Sequence, residues 1–159
     1  MYIQILFKQM KIETIIKSEF ELPATRKLIL SILLSNNLIN DKVAEALKPF
    51  DLSIPQFNVL RILRGQKGKP ANLSTIQERM VSKMSNTTRI VDKLIAKDLV
   101  SRIVCEKNRR KVEITITKKG LDILSKLDPI INTTEEEITE NLSSSEIKLL
   151  SETLQKLLK

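Results

Sequence analysis

The chain has 159 residues, of which 42% are apolar, 3% aromatic and none tryptophan or histidine, so one compact domain with helical extensions, built on Leu, Ile and Val, is expected. One cysteine, Cys105, excludes an internal disulfide, and without histidine the usual zinc ligand sets and Ser-His or Cys-His nucleophile pairs are missing; the three glycines form no phosphate loop. No cofactor, metal or enzymatic activity is therefore expected. The net charge of +8 is held unevenly: residues 56–120 carry 16 Lys and Arg against 5 Asp and Glu, a balance of +11, while the remainder holds 11 basic and 14 acidic side chains. Segregation of the basic excess into one segment is what a polyanion-binding module between neutral or acidic scaffolding shows.

In chain order, residues 1–22 read as an N-terminal extension. Its apolar stretch 2–7 is too short to span a bilayer and no small-residue cleavage site follows, so a cytoplasmic protein without membrane contact is expected. Two readings of the leader stay open: Met10 is the biological start, or Tyr2, Ile3, Ile5, Leu6 and Phe7 pack into a dimer. Leu28, Ile32, Ile39, Val43 and Leu47 recur at helical spacing and predict a long amphipathic helix over 23–48, ended by Pro49. Ser53-Ile54-Pro55-Gln56 has the pattern of a capping box, with Leu52 and Phe57 spaced as a hydrophobic staple around it. A helix over 56–64 follows, then a loop carrying Gly65, Gly68 and Pro70.

Ser74-Thr75-Ile76-Gln77 reads as a second capping box, opening a short helix over 75–81, and a longer helix is expected over 83–97. The period then drops to 2. Residues 99–106 and 111–117, rich in β-branched side chains and separated by Lys107-Asn108-Arg109-Arg110, predict a β-hairpin with a basic tip. The stretch 118–141 is helical but contains Pro129, expected to kink or interrupt it. A third capping box, Ser143 to Glu146, opens a last helix reaching 158, with Leu142 and Ile147 as its staple.

Helix, helix, short helix, longer helix and basic hairpin is the order of a winged helix-turn-helix, in which the longer helix enters the major groove of DNA. At 100° per residue that helix places Met84, Thr87, Val91, Leu94 and Ile95 on one arc and Ser82, Ser85, Asn86, Arg89 and Lys93 on the other. The polar arc supplies the candidates for reading: Arg for guanine, Asn for adenine, Ser for base or phosphate. Lys83 and Lys93 are assigned to phosphates, as are Lys107, Asn108, Arg109, Arg110 and Lys111 of the hairpin to phosphates or the minor groove. Asp92, which would repel DNA, is expected to pair within the helix or to orient Arg89.

The segment Leu73-Ser-Thr-Ile-Gln-Glu-Arg-Met80 followed by Asn86-Thr-Thr-Arg-Ile-Val-Asp-Lys-Leu94 resembles the helix-turn-helix of the MarR family. The hairpin Asn108-Arg-Arg-Lys-Val-Glu-Ile-Thr-Ile-Thr-Lys-Lys-Gly120 resembles its wing and the Leu-Thr-x-x-Gly start of the next helix. The resemblance covers about 23–158. It implies a mainly α fold with a small β-hairpin wing: a first dimerisation helix at 23–52, a DNA-binding lobe at 53–120 (helix-turn-helix about 74–97, wing about 99–117) and C-terminal dimerisation helices at 121–159. It further implies a homodimer on a palindromic operator, usually a repressor relieved by a small effector or thiol modification. Ile32, Ile39, Leu142, Ile147, Leu150, Leu154, Leu157 and Leu158 are the candidates for the dimer seam.

Two positions depart from the family pattern. Asn108 stands where an Asp often orients an Arg two residues on, here Arg110, and Asp98 stands where the recognition helix commonly ends with Gly, a conformation Asp tolerates. Cys105 lies on the first wing strand, unlike the reactive cysteine of thiol-sensing relatives, so an inert strand side chain is the first reading and a redox sensor the alternative. A winged helix that binds a protein partner is the other alternative, and the basic wing argues against it.

Overall fold

The computed structural model describes residues 11–83, 86–104 and 112–158. The elements run α1 (Ile12–Ile15), α2 (Ala24–Leu47), a 3-10 turn (Lys48–Phe50), α3 (Ile54–Gly65), α4 (Leu73–Arg79), α5 (Thr87–Ala96), β1 (Val100–Val104), β2 (Val112–Ile116), α6 (Lys118–Thr139) and α7 (Ser144–Gln155). The chain divides into two compact units, Met1–Asp41 and Lys42–Lys159, with α2 running through the boundary.

In the first unit the predicted extension holds a short helix that hydropathy does not reveal. Its fastener is ionic: Lys27 of α2 reaches Glu13 at 2.8 Å and Glu21 at 3.2 Å. The Leu22 amide also donates to Glu13, at 3.2 Å. The bond from Lys27, with the backbone N–H groups of Glu13 and Leu22, pulls the Glu13 carboxyl down to about 2.

The second unit holds an aliphatic core. Leu60 and Leu63 of α3, Ile76 of α4, Val91 and Leu94 of α5, Ile114 of β2, and Leu124 and Leu127 of α6 are essentially sealed from solvent, and Leu47 from the end of α2 is buried with them. The 3-10 turn carrying Pro49 follows, so the helix stops where proline dictates. Ser53 then caps α3: its hydroxyl accepts from the Gln56 amide while the Gln56 side chain accepts from Ser53 N–H, the reciprocal box expected from sequence. Leu52 and Phe57, the staple pair, are each 6% exposed.

The second predicted box is corrected. The N-cap of α4 is Asn72, whose oxygen accepts from Thr75 N–H at 2.8 Å, and Ser74 lies inside the helix with its hydroxyl on Asn72. Asn caps at least as well as Ser, and capping from position 72 gains two helical residues, Leu73 and Ser74, ahead of Ile76. The third box is present as expected at Ser143 and Glu146.

Strands β1 and β2 pair antiparallel, with Val100 opposite Ile116 and Val104 opposite Val112. A further rung was not anticipated: Ala71 and Ile114 exchange two backbone bonds of 2.9 and 2.8 Å, joining the segment ahead of α4 to the hairpin. Pro129 does not interrupt α6, which continues unbroken to Thr139. Buried Leu124 and Leu127 before the proline and Ile131 and Thr134 after it hold both halves on one apolar face, and Arg64 grips Asp128 beside it through two bonds of 2.6 and 3.1 Å. Burial of these side chains, each worth about 1.5 to 3 kcal/mol, outweighs the roughly 3 kcal/mol that an internal proline costs.

The start of α6 depends on a missing side chain. A Cβ at Gly120 would stand 2.4 Å from the Leu99 carbonyl oxygen and 2.8 Å from Ile116 Cγ1. Gly120→Ala is therefore expected to destabilise the lobe by about 1 to 3 kcal/mol through forced displacement of backbone. Thermal melting followed by circular dichroism checks this; an unchanged melting temperature would show that α6 can move away without cost.

Candidate nucleic-acid interface

Helix α5 is ten residues long and offers two chemically distinct faces. Thr87, Val91 and Leu94 are buried against the core and Ile95 is half-buried, as the predicted arc requires, while Arg89 and Lys93 are exposed on the other side. Met84, the remaining member of the apolar arc, and Ser85 of the polar arc fall outside the described residues, as do Cys105 and the wing candidates Lys107, Asn108, Arg109, Arg110 and Lys111.

The predicted start of this helix at 83 is corrected to Thr87, with Asn86 as N-cap. Its side-chain oxygen accepts from Arg89 N–H at 3.2 Å, giving one of the first-turn donors a partner. Asn86, expected to read adenine, thus has its acceptor engaged by the backbone, and its remaining capacity is mainly that of an N–H donor. Ser82 and Lys83 are exposed but precede the helix. Between α4 and α5, Val81 N–H donates to the Asn58 side chain of α3 at 3.1 Å, a tie that fixes the turn and that local sequence does not signal.

Asp92 pairs neither within its helix nor with Arg89. Arg102 on β1 takes it at 2.7 Å, so the acid on the exposed face is matched by a cation from the hairpin. At the far end, Asp98 adopts φ 59°, the left-handed conformation expected where the family has Gly. Leu99 N–H returns to the Leu94 carbonyl at 3.0 Å, and the Thr117 hydroxyl donates to the Asp98 carbonyl at 2.9 Å. Lys97 reaches Asp51, its ammonium 2.8 Å from the carboxylate, and the bond from that ammonium lowers the Asp51 pKa. An open cleft of about 1230 Å³ lies beside these groups, its charged lining formed by Glu45, Lys48, Asp51, Arg89, Lys93 and Lys97. No group of three or more metal-binding side chains occurs among the described residues, and no helix among them is long and apolar enough to cross a membrane.

A short helix and a longer amphipathic one joined by a pinned turn, followed by an antiparallel hairpin packed on the same core, define a winged helix-turn-helix. Residues 52–112 match the model of the MarR family. The match spans α3, α4, α5 and β1 of the lobe. Among solved structures, the chain is similar to apo MarR from E. coli with 24% identity and a TM-score of 0.67, over 89% of this chain and 100% of that one. It is similar to a variant of E. coli MarR complexed with operator DNA, with 25% identity and a TM-score of 0.73, over 80% and 91%. A MarR-like transcription regulator from Bacillus cereus shares 22% identity and a TM-score of 0.74, over 84% and 94%.

The capping geometry separates two roles for Asn86, helix cap and base reader. Asn86→Ala is expected to lower stability by roughly 0.5 to 2 kcal/mol with no DNA present, whereas Asn86→Asp, which keeps the accepting oxygen, holds near wild type. Urea unfolding of both variants decides this, and equal stability of Asn86→Ala and wild type would refute the cap.

Proposed function

We propose that this chain is a sequence-specific, DNA-binding transcriptional repressor that engages a palindromic operator as a homodimer and responds to a small effector. The observation that carries the reading is the exposed arc of α5, where Arg89 and Lys93 stand on a helix whose opposite face is sealed into the core. The basic excess of 56–120 and the likeness to MarR in complex with operator DNA support it. Arg89 is assigned to a base edge and Lys93, Lys83, Ser82 and Ser85 to phosphates or bases. Wing residues Lys107 to Lys111 are assigned to phosphates or the minor groove.

Reading and holding separate by mutation. A guanidinium bonded bidentately to guanine discriminates by roughly 1 to 3 kcal/mol, whereas contacts to phosphate depend weakly on sequence and strongly on salt. Arg89→Ala is expected to flatten the preference for operator over scrambled DNA. Arg110→Ala is expected to weaken both and to reduce the salt dependence. Titrations of both variants against both duplexes at two salt concentrations test the assignment, and loss of specificity in Arg110→Ala alone would place the reading element on the wing.

The dimer rests on α7. This helix has a complete capping box and an amphipathic sequence, yet none of its residues is buried within the chain. Ile147, Leu150 and Leu154 are 38%, 45% and 39% exposed, and Leu142, Leu157, Leu158 and Ile39 are exposed as well, with Ile32 half-buried. A second copy covering these side chains explains why so many aliphatic groups face outward. Light scattering at micromolar concentration is expected to give twice the 18.2 kDa chain mass; a stable monomer would remove both the dimer and the palindrome. The cleft beside α5, whose charged lining is Glu45, Lys48, Asp51, Arg89, Lys93 and Lys97, is the place assigned to the effector, where it meets the same Arg89 and Lys93 assigned to DNA. Occupancy there would act by favouring a recognition-helix separation other than the roughly 34 to 36 Å that adjacent half-sites demand.

A further inference from the structure

We propose that Asp51 and Lys97 form a positioning clamp for the recognition helix, so that sequence discrimination depends on an acidic residue that lies outside the helix-turn-helix. The inference rests on the DNA-reading role proposed above.

Helix α5 is held along its length by buried Val91 and Leu94 and by Arg102 on Asp92, and its two ends are held differently. Its N-cap is its own Asn86, a bond that orders the first turn but ties it to no other element. Its C-terminal end is different. Lys97, whose side chain is 29% exposed against 94% for Asp51, spans 46 positions of sequence to Asp51, approaching the carboxylate at 2.8 Å and also donating to the backbone carbonyl of the same residue. Asp51 is itself fixed: it follows the 3-10 turn at φ 52°, and its N–H donates to the Lys48 carbonyl at 3.0 Å. From another element, Lys119 at the start of α6 donates to the Lys97 carbonyl at 2.9 Å. The C-cap residue of the helix is thus gripped through both its side chain and its backbone.

The stripe on which Lys97 lies gives the clamp its meaning. Arg89, Lys93 and Lys97 follow one another at four-residue spacing, each offset by about 40° on the helix surface. The first two make no ion pair among the described residues, whereas the third is taken by Asp51. Lys97 is therefore read as the fixed end of the stripe, with Arg89 and Lys93 as its reading portion. An error in helix orientation at residue 97 is carried directly to residue 89, about two turns away.

Asp51→Asn tests this because the two readings of Lys97 predict opposite signs. Asn keeps the tolerance for positive φ and removes one negative charge. If Lys97 were one more cation for phosphates, freeing it would tighten binding to every duplex and leave discrimination unchanged. If the pair positions the helix, affinity for the preferred duplex falls while affinity for scrambled DNA does not, and discrimination drops by up to about fivefold, the upper limit for an ion pair with one exposed partner.

The probes are a duplex enriched by the full-length wild-type chain from a randomised 30-base-pair library, a length of about three DNA turns, and its scrambled counterpart, both followed by fluorescence anisotropy. Amide resonances of residues 89–96 in free Asp51→Asn are expected to shift relative to wild type, and they report on positioning at a temperature low enough to keep any weakened variant folded. Uniformly tighter binding, an unchanged ratio, or unmoved resonances would overturn the clamp. Failure of the wild type to enrich any duplex would instead remove the DNA-reading role, and the clamp with it.

Discussion

Three elements meet at the carbonyl of Leu99. The Leu99 amide closes the end of the recognition helix on Leu94, its carbonyl accepts from Thr117 N–H at 3.1 Å, and the glycine that opens α6 lies directly against that oxygen. Recognition helix, hairpin and C-terminal helix are therefore fixed by one residue's backbone, and Asp98, in its left-handed conformation, supplies the change of direction that makes this possible. The side chains then add burial to a geometry already set by main-chain bonds: Leu99 and Val100 are each 2% exposed. A core made almost wholly of Leu, Ile and Val has few directional groups, so the backbone has to supply the direction.

Around this junction the ion pairs are partly exposed and energetically modest, each in the range of a few tenths to about 1 kcal/mol. Their effect is one of register. Arg102 on Asp92 binds the recognition helix to the first strand, and Arg64 on Asp128 binds α3 to the middle of α6. Neither pair adds much to stability beyond what burial of Val91, Leu94 and Leu127 provides. Each restricts sliding and rotation that an aliphatic interface would otherwise permit.

What the sequence made legible was local. The boxes at Ser53 and Ser143 are complete within four residues and appear as read, and the hairpin follows from a change in period over five-residue strands. At 72–75 two capping residues compete, and choosing Asn72 over Ser74 depends on how Ile76 is delivered to the core, which is a tertiary matter. Helix α5 begins at Thr87 because Asn86 caps it, although hydrophobic spacing alone extends the helix back toward residue 83. The exposed face of α5 was foreseen at Arg89 and Lys93. The partners of Asp92 and Lys97, and the hold of Asn58 on the Val81 amide, were not, since they join residues 10, 46 and 23 positions apart. No periodicity encodes such pairings.

The bridge between Ala71 and Ile114 has a mechanical consequence. It stitches the strand-like segment before α4 to the inner strand of the wing, so the hairpin is not a free arm hanging from the end of the recognition helix. Wing root and helix-turn-helix share one frame, and neither can be re-aimed without breaking two main-chain hydrogen bonds. The helix-turn-helix and the wing root thus keep one fixed shape.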